Sequence, residues 1–144
     1  MSARAPVLTA EDAEDLAILS ARLQDAVAKL GDLVYLPKKR RFAALFNRFK
    51  WEDGKGDLRV RAGLYFDGVL SAKSKNLKRG APEAVVSLLA IRFTPKEEGA
   101  GTVELVFAGG GVIVLEVECL EAGLSDVSGA WAALGRPAHA WEES

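Results

Sequence analysis

Thirteen lysines and arginines fall between residues 38 and 79 against four acids, a local balance of +9. Lys38, Lys39, Arg40 and Arg41 form the densest group; Arg48, Arg59 and Arg61 follow, and Lys78 and Arg79 close the region. These nine are the candidate ligand- or partner-binding residues. Cations at this density hold phosphate and carboxylate groups, and against a polyanion they act by releasing its counterions. Phe49, Trp51 and Tyr65 are interleaved with them and offer ring faces on which bases could stack. The flanks are acidic, with residues 1–37 at −3 and residues 80–144 at −7, so the whole chain carries −1. A second reading of the same layout therefore stands beside the first. Acidic strands around Glu104, Glu116 and Glu118 would neutralise Arg59, Arg61 and Arg92 within the molecule. Such surface ion pairs contribute only about 0–1 kcal/mol each, but they cancel the field. An isoelectric point near 5.9 and the absence of a nucleic-acid fingerprint place nucleic acid second to a protein or small anionic ligand.

Other chemistries find less support. The only histidine, His139, lies between two alanines near the end of the chain, where a nucleophilic Ser or Cys pair would have to recruit it. The single cysteine, Cys119, excludes an internal disulfide, and its phase with Leu115 and Val117 predicts a buried, inert thiol. Glu116 and Glu118 share a strand face but read as solvated. Asp53 and Asp57 flank a glycine-rich turn whose own conformational needs explain them. Gly54-Lys55-Gly56 lacks both the spacing and the following Ser or Thr of a phosphate-binding loop. No catalytic residue, metal site or cofactor is implied.

The elements that must position the basic residues follow from periodicity. Thr9-Ala10-Glu11-Asp12 reads as a helix start, with Thr9 as the cap. Leu16, Leu19, Leu23, Val27 and Leu30 recur at three- and four-residue steps. A helix ending near Gln24, with a strand opening at Ala26, is preferred to one running on to Gly31. Leu33–Leu36 and Phe42–Phe46 flank Pro37-Lys38-Lys39-Arg40 as a hairpin. Leu58 to Phe66 alternates apolar and polar residues as a half-buried strand with a basic outer face. Weaker strand character covers Val69 to Lys75, and an apolar run from Val85 to Thr94 stops at Pro95. Gly109-Gly110-Gly111 predicts a hairpin in which Ala108 faces Val112 and Glu104 faces Glu116, with Arg92, Arg59 or Arg61 supplying a cation. A short helix is expected from Ser125 to Leu134, its buried stripe formed by Val127, Trp131 and Leu134.

Taken together, this is an α+β chain, mainly antiparallel β. About seven strands would form a barrel or strongly bent sheet, with one helix in front and a short helix behind. That order looks like a pleckstrin-homology-type barrel. With 144 residues the chain reads as a single domain, 1–144, with an ordered core of about 8–136.

Several segments carry a family resemblance. Glu14–Ser20, Leu23–Val27, Tyr35-Leu36-Pro37, Arg41-Phe42-Ala43, Asn47-Arg48-Phe49, Leu88–Phe93 and Phe107–Gly110 resemble the family labelled domain of unknown function 2948. The resemblance runs from about residue 8 to about residue 139. It implies a bacterial, alphaproteobacterial protein and brings no catalytic signature and no site residues.

The functional expectation is a non-enzymatic binding or adaptor domain for a protein partner or an anionic ligand, located in the cytoplasm. Its contact surface would be the basic hairpin or an exposed sheet edge. A nucleic-acid-associated protein using residues 38–79 and an enzyme of unrecognised type are the alternatives. No membrane span is present in the sequence. Exposed strand edges also allow a homodimer.

Overall fold

The computed structural model describes residues 7–49, 59–78 and 80–127. Ten strands share one antiparallel sheet: β1 (Val7–Ala10), β2 (Val27–Lys29), β3 (Leu33–Leu36), β4 (Arg41–Phe49), β5 (Arg59–Asp67), β6 (Val69–Lys75), β7 (Val85–Pro95), β8 (Gly101–Phe107), β9 (Val112–Val117) and β10 (Ala122–Val127). Their order is β1-β10-β5-β4-β2-β7-β8-β9-β6, with β3 lying beside β2 along the edge of β4. The path does not close.

This corrects the expected architecture of about seven strands in a barrel between two helices. Among the described residues there is one α-helix, α1 (Ala13–Leu23). Ser125, Asp126 and Val127, expected to open a C-terminal helix, instead end β10, where they pair with Gly63, Ala62 and Arg61 of β5. The remainder of that expected helix, with Trp131, lies outside the described residues. Local capping signals lost to pairing on both sides: β10 is hydrogen-bonded to β5 and to β1. Tyr65 lies directly against Gly123, where a Cβ would overlap its ring, so the close approach of β5 and β10 needs that glycine.

The helix forms where an acidic first turn meets an apolar stripe. Asp12, not Thr9, is its cap: Asp12 Oδ1 accepts from the Asp15 backbone N–H at 2.8 Å, while Thr9 belongs to β1 opposite Gly123. Leu16, Leu19 and Leu23 are buried against the sheet. Val27 and Leu30 continue the helical spacing without continuing the helix. Asp25 turns left-handed (φ 68°), and its N–H donates to Leu88 O at 2.8 Å. Leu88 N then donates to Ala26 O, so pairing with β7 replaces further helical turns. Beyond β2, α1 takes over that edge of β7, where Ser20 Oγ accepts from Ile91 N–H at 2.9 Å.

One buried cluster unites the molecule. It joins the α1 leucines to Phe42, Phe46, Leu64 and Phe66 from β4 and β5, and to Val103, Leu105, Phe107, Ile113, Leu115 and Val117 from β8 and β9. The β8–β9 face assignment is as the alternation predicts, but the register differs by two residues. Val106 faces Val112 and Glu104 faces Val114, because the connection spans Ala108 to Gly111 with Gly109 and Gly110 at positive φ. Glu104 and Glu116 are therefore not opposed. Arg92 stands across from Glu104 on β7, and Glu116 accepts from Lys96 Nζ at 3.0 Å and Thr102 Oγ1 at 2.9 Å. Cys119 is exposed, contrary to the expectation of burial, because β9 stops at Val117 and the alternation stops with it. No helix among the described residues is long and apolar enough to cross a membrane.

Candidate functional site

The chain between Val27 and Leu36 runs along one edge of β4, interrupted by a single tight turn at Leu30–Asp32. Its first part, β2, also pairs with β7; its second part, β3, pairs among the described residues only with β4. β6 likewise pairs only with β9. The free edges of β3 and β6 border a cleft of about 450 Å³, with Leu33, Val34 and Tyr35 on one side and Ala72, Lys73 and Ser74 on the other. Phe42 and Ile113 belong to its lining and to the buried core, so the floor is apolar.

Both ends of the cleft are pinned. At one end the Tyr35 hydroxyl donates to Val69 O at 2.8 Å, and Val69 N–H donates to Arg40 O at 2.9 Å. At the other, Gly31 N–H donates to Pro82 O at 2.9 Å. Leu77, which lines the cleft just after β6, lies against Gly111, whose missing side chain leaves the room it needs. Asn76 Nδ2 donates to Gly110 O at 3.2 Å and holds the same segment. The glycine-rich turn thus shapes a wall of the site from a distance.

The basic residues separate into two groups. Arg40 reaches Glu118 at 3.5 Å. Arg41 forms a fork with Asp67 at 2.6 and 3.0 Å and lies 4.7 Å over the Tyr65 ring. The Asp67 hydrogen bond, ahead of a smaller opposing cost of burial, raises the Arg41 pKa further. Arg48 is buried, at 3% exposure, and grips Asp126 with bonds of 2.9 and 2.7 Å. These arginines are committed to carboxylates. Lys38 and Lys39 sit exposed on the turn after β3, and Lys78 is exposed beyond β6. With Lys73 and Lys75 of β6, they make five lysines within two residues of a cleft-lining position, and none has an ion-pair partner among the described residues. Arg61 lies away from them, opposite Asn47 on β4. Arg59 opens β5; its side chain and all of Arg79 lie outside the described residues, as do His139 and the turn at Asp53–Asp57.

Asp32, a residue the sequence did not single out, lines a smaller hollow of about 130 Å³ together with Lys29, Asn47 and Arg61. Burial raises its pKa above the ordinary carboxylate value, despite the opposing influence of Lys29 and Arg61. Lys29 itself is bound to Glu83 at 3.0 Å. No group of three His, Cys, Asp or Glu side chains converges among the described residues.

A family model, "Protein of unknown function (DUF2948)", matches residues 7–139. The chain belongs to the DUF2948 family. No curated protein matches it. The DUF2948 match spans both walls of the β3–β6 cleft and every lysine at its rim. It carries no functional assignment to them, so the site of this DUF2948 chain has to be argued from its geometry. The weaker strand at Val69 to Lys75 and the hairpin signal at Pro37–Arg40 were both visible in the sequence. That β3 and β6 would face each other was not, because neither strand carries a local signal of its non-partner.

Proposed function

We propose that this DUF2948 protein is a non-enzymatic binding domain whose β3–β6 cleft takes a ligand with an apolar body and negative charge. The carrying observation is the cleft itself: about 450 Å³ over an apolar floor, with five exposed lysines at its rim that form no ion pair among the described residues. A volume of this size is typical of ligand sites, and apolar walls with a few polar groups are their usual lining. The engagement of Arg40, Arg41 and Arg48 by Glu118, Asp67 and Asp126 supports a small or protein-borne anion over nucleic acid, since the arginine forks best suited to phosphate are already occupied. In this reading the chain works as one domain in the bacterial cytoplasm.

Decanoate and its uncharged twin decanol test the reading. Decanoate is expected to shift the backbone amide resonances of Val34, Tyr35, Ala72 and Ser74 saturably, and decanol to bind about tenfold more weakly or less. Exchanging Lys38, Lys39, Lys73, Lys75 and Lys78 for Glu should remove the preference. Absence of saturable shifts at those amides, or shifts confined to another surface, overturns the assignment.

A further inference from the structure

We infer that the natural occupant of the cleft is an extended acidic segment of a partner protein, added as a strand between β3 and β6. This deepens the binding reading above and rests on it. The first argument is backbone chemistry. In an antiparallel pair, every second residue directs its N–H and C=O away from its partner strand. Among the described residues β3 is paired only with β4 and β6 only with β9, so both present such groups toward the space between them. A lipid tail or a compact small molecule leaves these groups to water, whereas a peptide backbone satisfies both edges at once.

The second argument is direction and length. Tyr35, near the end of β3, bonds to Val69 at the start of β6, while Leu33 and Leu30 line the same cleft as Ser74 and Leu77 at the far end. The two edges therefore run antiparallel across the gap, and an inserted strand is antiparallel to one and parallel to the other. The four residues of β3 set the shared length. At about 3.3 Å per residue, four or five residues of the guest are held.

The third argument is charge complementarity, and it fixes the guest's pattern. Successive side chains of a strand point to opposite faces. One set falls on the floor formed by Phe42, Ile113 and their neighbours, and the other meets the rim, where Lys38, Lys39, Lys73, Lys75 and Lys78 form no ion pairs among the described residues. The recognised segment alternates β-branched apolar residues with Glu or Asp.

Two synthetic peptides of identical composition decide the matter, one alternating Glu and Val over seven residues and one with its Glu and Val segregated into blocks. The alternating peptide is expected to bind about tenfold or more tightly than the block peptide. It should slow amide hydrogen exchange at alternate residues of both β3 and β6. The charge reversals Lys73→Glu and Lys75→Glu, on exposed side chains that leave the core intact, should weaken it by a similar factor. Equal binding of the two peptides, or protection absent from either edge, overturns strand addition. If decanoate enters the cleft while the alternating peptide does not, strand addition fails and the cleft assignment survives. If neither enters, both fall.

Discussion

Arg48 is a buried cation held in a carboxylate fork. Its side chain is 4% exposed and that of Asp126 18%. The fork between them satisfies both where water is scarce. Removing Arg48 takes the fork from a part-buried carboxylate, and removing Asp126 takes it from a buried guanidinium; breaking such a pair costs about 3–5 kcal/mol, whereas replacing both by apolar residues of similar volume is often neutral. Arg48→Ala and Asp126→Ala should therefore each lower the denaturation midpoint sharply, and the double variant Arg48→Met/Asp126→Leu should recover most of the loss. A loss in the double variant equal to the sum of the two single losses would show that the pair is not coupled.

At the same scale, Asp32 titrates with a raised pKa because burial disfavours its charge. In the pH window between the ordinary carboxylate value and that raised value, the folded state holds the proton that the unfolded chain has lost. Stability therefore falls as pH rises through this window and is recovered on acidification. Asp32→Asn should remove that contribution, giving a protein more stable than the parent near neutrality and a flatter stability–pH curve above pH 4. Glu116 has the opposite sign. The Lys96 hydrogen bond, then that of Thr102, lowers its pKa, so its small, screened contribution is present above the ordinary carboxylate pKa and lost as pH falls through the lowered one.

Among the elements, α1 earns its place through one hydroxyl as well as through its leucines. β7 loses its β2 neighbour beyond Ser87, and the N–H of Ile91 would otherwise face the apolar interior side of the helix. Ser20→Ala should cost about 1–2 kcal/mol, the usual penalty for leaving a part-buried donor unpaired. It should also accelerate hydrogen exchange at Ile91 more than at Leu64 on β5, three strands away in the sheet. Uniform acceleration would indicate general destabilisation instead. The strands show why short elements escape local reading. β6, read from the sequence as a weaker strand over Val69 to Lys75, spans those residues. β1, with four residues, and β10, with six beginning Ala-Gly, exist because β5 and β10 offer them partners.

Across the whole molecule, the basic middle and acidic flanks do meet, but selectively. The arginines of the 38–79 region find Glu118, Asp67 and Asp126, two of them from the acidic C-terminal part, while five lysines remain beside a cleft. The charge asymmetry could be counted from the sequence. Which cations are spent internally could not, since Arg48 and Asp126 lie 78 positions apart. By itself the sequence determined the period-two strands, the helix stripe, the hairpin turns and the family, because these depend on neighbours a few residues away whose preferences the backbone expresses locally. Only the tertiary structure decided the strand order, the capture of 122–127 as a strand, and the facing of β3 and β6 across an apolar cleft. Those outcomes depend on which distant edges find each other, a choice made by burial and backbone pairing over the whole chain at once.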